Sequence, residues 1–268
     1  DGGEAQRYSV SGTWRRTAAD SASRVNAFVI RNRTGLYSNF TYFLSDPVNG
    51  DQFAQPDRRV TSGLNATHTW HLHDGLPASD LTLGGQLQND NIFNGLYNTR
   101  ARRRISVTRE DHVVESSAGV FAEAHTRWND TLRTIAGVRA DGYRFGVAGD
   151  RAANSGSARA ALASPSLNLI YAARPDTEIY FNLGSGFHSN DARGTTASVD
   201  PATGEPAERS PGLVRSRGIE AGLRSAWMPR MESSLAIYRL AFDSELTYLG
   251  DGGATEAGLP SVRTGAEL

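Results

Sequence analysis

Any chemistry in this chain would come from six histidines and a handful of short polar runs, since cysteine is absent. Three of the histidines, His68, His71 and His73, fall within Thr67-His-Thr-Trp-His-Leu-His-Asp74. Neutral imidazoles beside a carboxylate suit Zn or Cu. The run sits at a turn, however, and strand alternation sends neighbouring side chains to opposite faces. We read the three as polar turn residues and expect no metal site and no cofactor. Gly184-Ser-Gly186 lacks the lysine and the following helix of a phosphate-binding loop; its glycines fit close backbone approach on a strand. His125 and Ser185 are of the types needed for a base and a nucleophile, but nothing in the sequence connects them, so no enzyme activity is expected. The remaining run is Phe187-His-Ser-Asn-Asp-Ala-Arg-Gly194, where a strand passes into a long polar segment. His188, Asn190, Asp191 and Arg193 form its candidate ligand-binding set. The competing reading is hydrogen bonding inside the loop, with Arg193 paired to Asp191.

The elements that hold these residues are marked by tryptophan. Trp14, Trp70, Trp128 and Trp227 each end an alternating polar/apolar run and are followed by a short polar turn. The runs include Tyr8-Ser-Val-Ser-Gly-Thr-Trp14 and Ile219-Glu-Ala-Gly-Leu-Arg-Ser-Ala-Trp227, and Tyr171 closes a fifth before Arg174-Pro175-Asp176. Amphipathic rings at one constant depth are what a membrane–water interface selects. The pattern predicts an all-β chain: an antiparallel, up-and-down transmembrane β-barrel, with Trp14, Trp70, Trp128, Tyr171 and Trp227 as its periplasmic aromatic girdle.

Candidate strands run Arg7–Trp14, Arg24–Phe43, Arg58–Trp70, Asp80–Asn89, Glu115–Trp128, Leu132–Val147, Ser164–Ala173, Glu178–His188, Arg215–Trp227 and Glu232–Tyr248, with another beginning near Arg263. Trp-bearing ends join through short turns. The opposite ends join through long Gly-, Asp-, Asn- and Pro-rich segments near 45–56, 90–114, 148–163, 189–214 and 249–262. That asymmetry separates the periplasmic side from the exterior. Tyr37, Phe40, Tyr42, Phe43, Tyr143, Phe145, Phe187 and Tyr248 are expected at the outer girdle. Period-2 alternation turns Glu123, Arg139, Asp141, Glu220 and Arg224 to the lumen and Val120, Val138 and Leu223 to lipid. It also turns Tyr238, Leu240 and Phe242 to lipid, with Arg239, Asp243 and Glu245 inside. About ten strands are too many for a small filled barrel and too few for a wide channel. The chain is therefore expected to be an incomplete barrel segment with open edges.

Composition adds exclusions. No apolar stretch approaches the ~18 residues of a spanning helix, and barrel strands hide their membrane character because only alternate residues meet lipid. A formal net charge of -1 gives no reason to expect a nucleic-acid partner. All 28 basic residues are arginine, which we attribute to coding bias. An export signal is expected to lie outside the chain.

Glu178-Ile-Tyr-Phe-Asn-Leu-Gly-Ser-Gly-Phe-His-Ser-Asn-Asp-Ala-Arg-Gly194, followed by Val199-Asp-Pro-Ala-Thr-Gly204 and Leu213-Val-Arg-Ser-Arg-Gly-Ile-Glu-Ala-Gly-Leu-Arg224, resembles the mid-barrel region of TonB-dependent outer-membrane receptors. Ser38–Phe53 is similar to an earlier loop of that family. The resemblance covers essentially the whole chain, as barrel alone. It implies a parent protein of roughly 22 strands around an amino-terminal plug, with residues 1–268 a partial barrel domain and the plug and final strands elsewhere. It further implies a Gram-negative bacterial outer-membrane location and contact with outer-membrane lipid. The parent chain's plug would fill the lumen and engage the energy-transducing TonB complex. The implied function is energised uptake of a large scarce nutrient, in the ferric siderophore, cobalamin or glycan class. The alternatives are a passive outer-membrane porin or an outer-membrane enzyme.

Overall fold

The computed structural model describes residues 1–74, 77–201, 203–228, 231–249 and 254–268, without the side chains at 227–228, 246–249 and 254–257. Thirteen strands are described: β1 Gly2–Thr17, β2 Ser21–Ser38, β3 Phe53–Leu72, β4 Ala78–Arg100, β5 Arg103–Arg127, β6 Leu132–Gly149, β7 Gly156–Arg174, β8 Thr177–Ser189, β9 Leu213–Met228, β10 Met231–Phe242, β11 Leu246–Leu249, β12 Ala254–Ala257 and β13 Ser261–Glu267. One short helix, α1 (Ala192–Thr196), lies between β8 and β9. Eleven strands form a single antiparallel meander in the order β1 to β10 and then β13, with β11 and β12 a separate hairpin. The sheet is an open, incomplete barrel wall in which β1 and β13 are the two edges.

Alternation sorts each strand into two chemically different faces. Val10, Leu83, Leu87, Val120, Val138, Leu183 and Leu223 share one face and are exposed there. The other face carries Gln86, Glu123, Arg139, Asp141, Asn182 and Glu220, and it is the crowded one. The Phe121 ring lies where a Cβ on Gly84 would be, and the Tyr180 ring where a Cβ on Gly222 would be, whereas Gly12 and Gly142 on the apolar face have open space beside them. A curved sheet compresses the side chains of its inner face, and glycine there makes room for a neighbour's ring. The polar face is therefore the inner, lumen-side face.

Strand inclination follows from the register. Register partners lie directly across from one another, so a level row on tilted strands must be staggered. Trp14 is opposite Val25 and Trp70 opposite Ser21, four residues along β2. Trp70 is opposite Leu81, Leu81 is opposite Ala124, and Trp128 lies four residues further on. Arg127 pairs with Arg133 and Leu132 with Tyr171, so Trp128 and Tyr171 fall on one line. Eight residues of stagger over six strand steps, at ~3.3 Å per residue and ~4.8 Å per strand, make a level row if the strands tilt by about 42°. Membrane barrels tilt by ~35–45°.

Three expectations fail here, each for a local reason. Between β9 and β10 the register shifts, Met231 lying opposite Met228 but Ser233 opposite Ser225, so β9 carries one extra residue there. Beyond it Tyr238, Leu240 and Phe242 lie opposite Glu220, Gly218 and Ser216 on the inner face, and Arg239 lies outside. One extra residue inverts every later side chain. The segment 90–114 is a hairpin of β4 and β5 and not a loop: Ile92 pairs with Val113 and Asn94 with Asp111. Asn- and Gly-rich strands form there because cross-strand contacts outweigh weak propensity. They include Tyr97 donating to Glu110 (2.7 Å) and Arg58 lying over Phe93 (4.5 Å). Likewise, β7 already begins at Gly156, within the expected loop 148–163. Finally, Phe145 and Tyr143 are not outer-girdle residues. Phe145 is fully buried with Ile92, Val113, Val147 and Ala192, and Tyr143 packs against this cluster. Phe187 meets Tyr143 edge-on at 5.9 Å. All of these lie on the wall beneath the 190–212 loop.

Candidate site on the inner wall and at the outer mouth

The inner face holds its charges in pairs built two residues apart. In a strand, residues i and i+2 share a face, so an acid and a base at that spacing meet without help from another element. Arg139 donates from Nε to Asp141 (2.7 Å), and its Nη2 reaches Gln86 on β4 (3.0 Å). Arg109 bonds to Asp111, and both side chains are buried. Further bonds extend the network: across strands Thr61 donates to Asp90 (2.5 Å) and Asn182 to Glu220 (3.1 Å), and along β4 Gln88 donates to the same Asp90 carboxylate (2.7 Å). Arg224 lies over the Tyr180 ring at 4.8 Å. Near the Trp-bearing end, Glu123 accepts from His125 (2.7 Å) and Arg133 pairs with Glu178 (2.6 Å). Register places Glu123, Arg139, Asp141, Glu220 and Arg224 all on this one face. Such a wall offers donors and acceptors to a polar object in the lumen, at fixed positions.

The 190–212 loop closes over the end of the wall away from the Trp row. Asp191 caps α1 by accepting from the Arg193 backbone N–H (2.9 Å) and pairs with the Arg193 guanidinium (2.6 Å). Arg193 also stands 4.0 Å from Asp111 of β5, so one guanidinium ties the loop to the wall. Burial pushes the Asp191 carboxyl up, but the Arg193 bond and charge outweigh it and hold the group below its ordinary value. Asn190 is buried and donates to the Pro211 carbonyl (2.7 Å). Asn154 accepts from Ser198 and Val199 and donates to Val199, clasping the far half of the loop to the turn before β7. His188, half-buried at the end of β8, makes no side-chain hydrogen bond among the described residues. The four sequence-derived candidates are thus neighbours along one strand end, but Asn190, Asp191 and Arg193 are engaged in holding the loop.

Trp14 and Trp128 are exposed on the outer face, Trp70 stands out less, and Trp128 donates from Nε1 to Thr134 (2.9 Å). The Trp227 side chain and that of Tyr248 lie outside the described residues. His125 and Ser185 are on different strands, β5 and β8, and the structure gives them no mutual contact. Sequence reasoning missed Arg109, Asp111, Gln86 and Asp90. The signal was present: Arg109-Glu-Asp111 repeats the spacing of Arg139-Ala-Asp141.

The profile described as "TonB dependent receptor-like, beta-barrel" matches residues 1–266. The chain belongs to that family. Its members are outer-membrane transport receptors of Gram-negative bacteria, and this chain is an outer-membrane β-barrel segment. No curated protein matches its sequence. Among solved structures it is similar to the ferric citrate transporter FecA in its unliganded form (TM-score 0.73, 12% identity, covering 98% of this chain and 38% of that one). It is similar to the copper transporter OprC (0.71, 14%, 97% and 43%) and to BauA, the ferric preacinetobactin receptor from Acinetobacter baumannii (0.69, 10%, 98% and 42%). At these identities the likeness shows the fold alone. The chain spans about two fifths of the length of these receptors.

Proposed function

We propose that this chain is the middle wall of an outer-membrane receptor that takes up a large scarce nutrient, with a ferric chelate the leading class and cobalamin or a glycan the others. The observation that carries the reading is the inner face: paired charges and amides on a rigid wall, with an inward-folded loop at the outer mouth. Hydrocarbon does not tolerate the unpaired edges of β1 and β13, so further strands of the parent chain complete the barrel. A plug from the same parent chain fills the lumen against Arg139, Asp141, Glu220 and Arg224, and passes energy from the TonB complex. Trp14, Trp70, Trp128, Tyr171 and Trp227 form the periplasmic girdle in contact with lipid. At the outer mouth His188 contacts ligand, while Asn190, Asp191 and Arg193 fix the loop that presents it. No catalytic set is assigned.

Passive diffusion is the second reading, because a loop folded inside a barrel is also what narrows a porin. The two differ in energy dependence. Cells carrying the intact protein as their only candidate receptor should accumulate labelled ferric chelate, and deleting the energy-transducing partner should abolish uptake. Uptake that persists without the partner and scales with external concentration would identify a porin. No uptake of any ferric chelate, cobalamin or glycan tested would remove the nutrient-receptor reading.

A further inference from the structure

The turn between β3 and β4 gathers two imidazoles around one carboxylate oxygen. His71, near the end of β3, is the register partner of Asp80 on β4. Its Nδ1 lies 2.7 Å from Asp80 Oδ1. His73 follows the strand and places Nε2 2.9 Å from the same oxygen. The three ligand atoms all lie within 4.8 Å of one another. Alternation does remove His68, as the sequence suggested: it sits on the outer face, bonded to Ser23 (2.7 Å) and 4.2 Å from the Trp70 ring. It does not separate His71 from His73, which are two apart, and the sequence reading did not weigh Asp80, which the hairpin returns to them.

We propose that His71, His73 and Asp80 form a Zn²⁺ site at the periplasmic mouth of the barrel wall, far from the ligand loop. Zinc binds imidazole nitrogen at ~2.0–2.1 Å and carboxylate oxygen at ~2.0–2.2 Å, which sets neighbouring ligands of a tetrahedral site roughly 3.3 Å apart. The N···O separations here need open by only about half an ångström. A two-nitrogen, one-oxygen donor set suits a borderline ion such as zinc and not magnesium or calcium. Two of the ligands are pre-positioned: the His71 backbone N–H is bonded to the Asp20 carbonyl (2.7 Å), and Asp80 is in the β3–β4–β5 ladder. His73, on the turn and largely exposed, supplies the adjustment. Three protein ligands leave a fourth position. It opens on a cavity of about 590 Å³ lined by Asp80, His73, His125 and Arg133. His125 is the β5 register partner of Asp80. Bound zinc fastens the turn to β4 and leaves one coordination position facing the lumen.

The test uses the intact outer-membrane protein that contains this chain, purified in detergent and titrated with Zn²⁺ against a chromophoric chelator. One zinc should bind per chain with micromolar or tighter affinity. His73→Ala and Asp80→Ala should each weaken it at least tenfold, and His71→Ala/His73→Ala should abolish it. His68→Ala and His112→Ala, which change imidazoles outside the cluster, should leave it unchanged. Heat-modifiability on gels confirms that each variant still forms the barrel. Absence of stoichiometric binding by the wild type, or binding that survives the double substitution in a folded barrel, overturns the proposal.

Discussion

Adjacent residues on β8 should respond in opposite ways to arginine, and the size of the difference follows from the geometry. Leu183 is on the outer face and is 43% exposed in the isolated wall. Asn182 is on the inner face, bonded to Glu220. Tyr171 is opposite Ile179, four residues before Leu183. At a tilt of about 42°, each residue along a strand gains roughly 2.4 Å of height and each strand step about 3 Å. Leu183 then stands roughly 13 Å above the Tyr171 level, near the middle of an apolar band ~25 Å tall. Arginine facing lipid there costs about 2–4 kcal/mol. That is a roughly 30- to 700-fold loss in the folding equilibrium. Were the same face wetted by water, Leu183→Arg would fall within the ~0.5 kcal/mol of ordinary surface substitutions. Asn182→Arg should stay near that small value, since it faces a polar lumen beside the Glu220 carboxylate. The assay is reversible urea unfolding of the intact protein in lipid vesicles, with heat-modifiability as the measure of barrel formation. Equal costs for the two substitutions, or a cost below about 0.5 kcal/mol for Leu183→Arg, would refute the assignment of faces and the depth.

Three further outcomes are expected. Gly84→Val should destabilise the barrel by about 1–3 kcal/mol in the same urea titration, because the Phe121 ring occupies the space a side chain needs. Replacing Ala101-Arg102 by Asn-Gly should stabilise the β4–β5 hairpin by about 0.5–1 kcal/mol, since both residues have positive φ (48° and 62°) at a two-residue turn that favours Asn-Gly. Asp191→Asn should expose the 190–212 loop to limited proteolysis at neutral pH. In the unsubstituted protein the bond and charge of Arg193 hold the Asp191 carboxyl below its ordinary value. The stability it contributes is thus present above its unfolded value and lost only as pH falls through the lower folded value, so wild-type loop protection should persist at pH 5.

Much of the wall was legible because two independent periodicities agreed in it. Residues 115–147 alternate cleanly, and the indole at Trp128 fixes where that alternation meets the interface, so faces and ends followed together. Where one signal stood alone, the reading failed. In β10 the alternation was real but its phase was set by a register shift against β9, where 225–228 holds one residue more than 231–233, and nothing in the sequence announces it. In 90–114 the strands run past the membrane into water, so neither lipid nor interface imposes a pattern. Their pairing rests on contacts such as Tyr97 with Glu110, which are not adjacent in sequence. Phe145 misled for a related reason: an aromatic residue near a strand's outer end reads as girdle unless a loop is known to cover it. The covering element, α1, is five residues long and has no periodicity to detect.

The inner-wall pairs point to a division of labour between strand and loop. Arg139 with Asp141, and Arg109 with Asp111, are self-sufficient: each charge finds its partner two residues away on its own strand. A wall built this way keeps its polar surface satisfied whatever occupies the lumen, because no pair depends on the occupant for its counter-charge. Arg193 is different. It pairs inside its loop with Asp191 and reaches across to Asp111, so its position depends on the loop staying folded against the wall. Moving the loop outward would leave Asp111 with Arg109 and Asp191 with Arg193, but would break the 4.0 Å contact between Arg193 and Asp111, the Asn154 bonds to Ser198 and Val199, and the packing of Ala192 against Phe145. Charge therefore holds the loop together internally, while apolar packing of Ala192 and the Asn154 clasp fasten it to its surroundings.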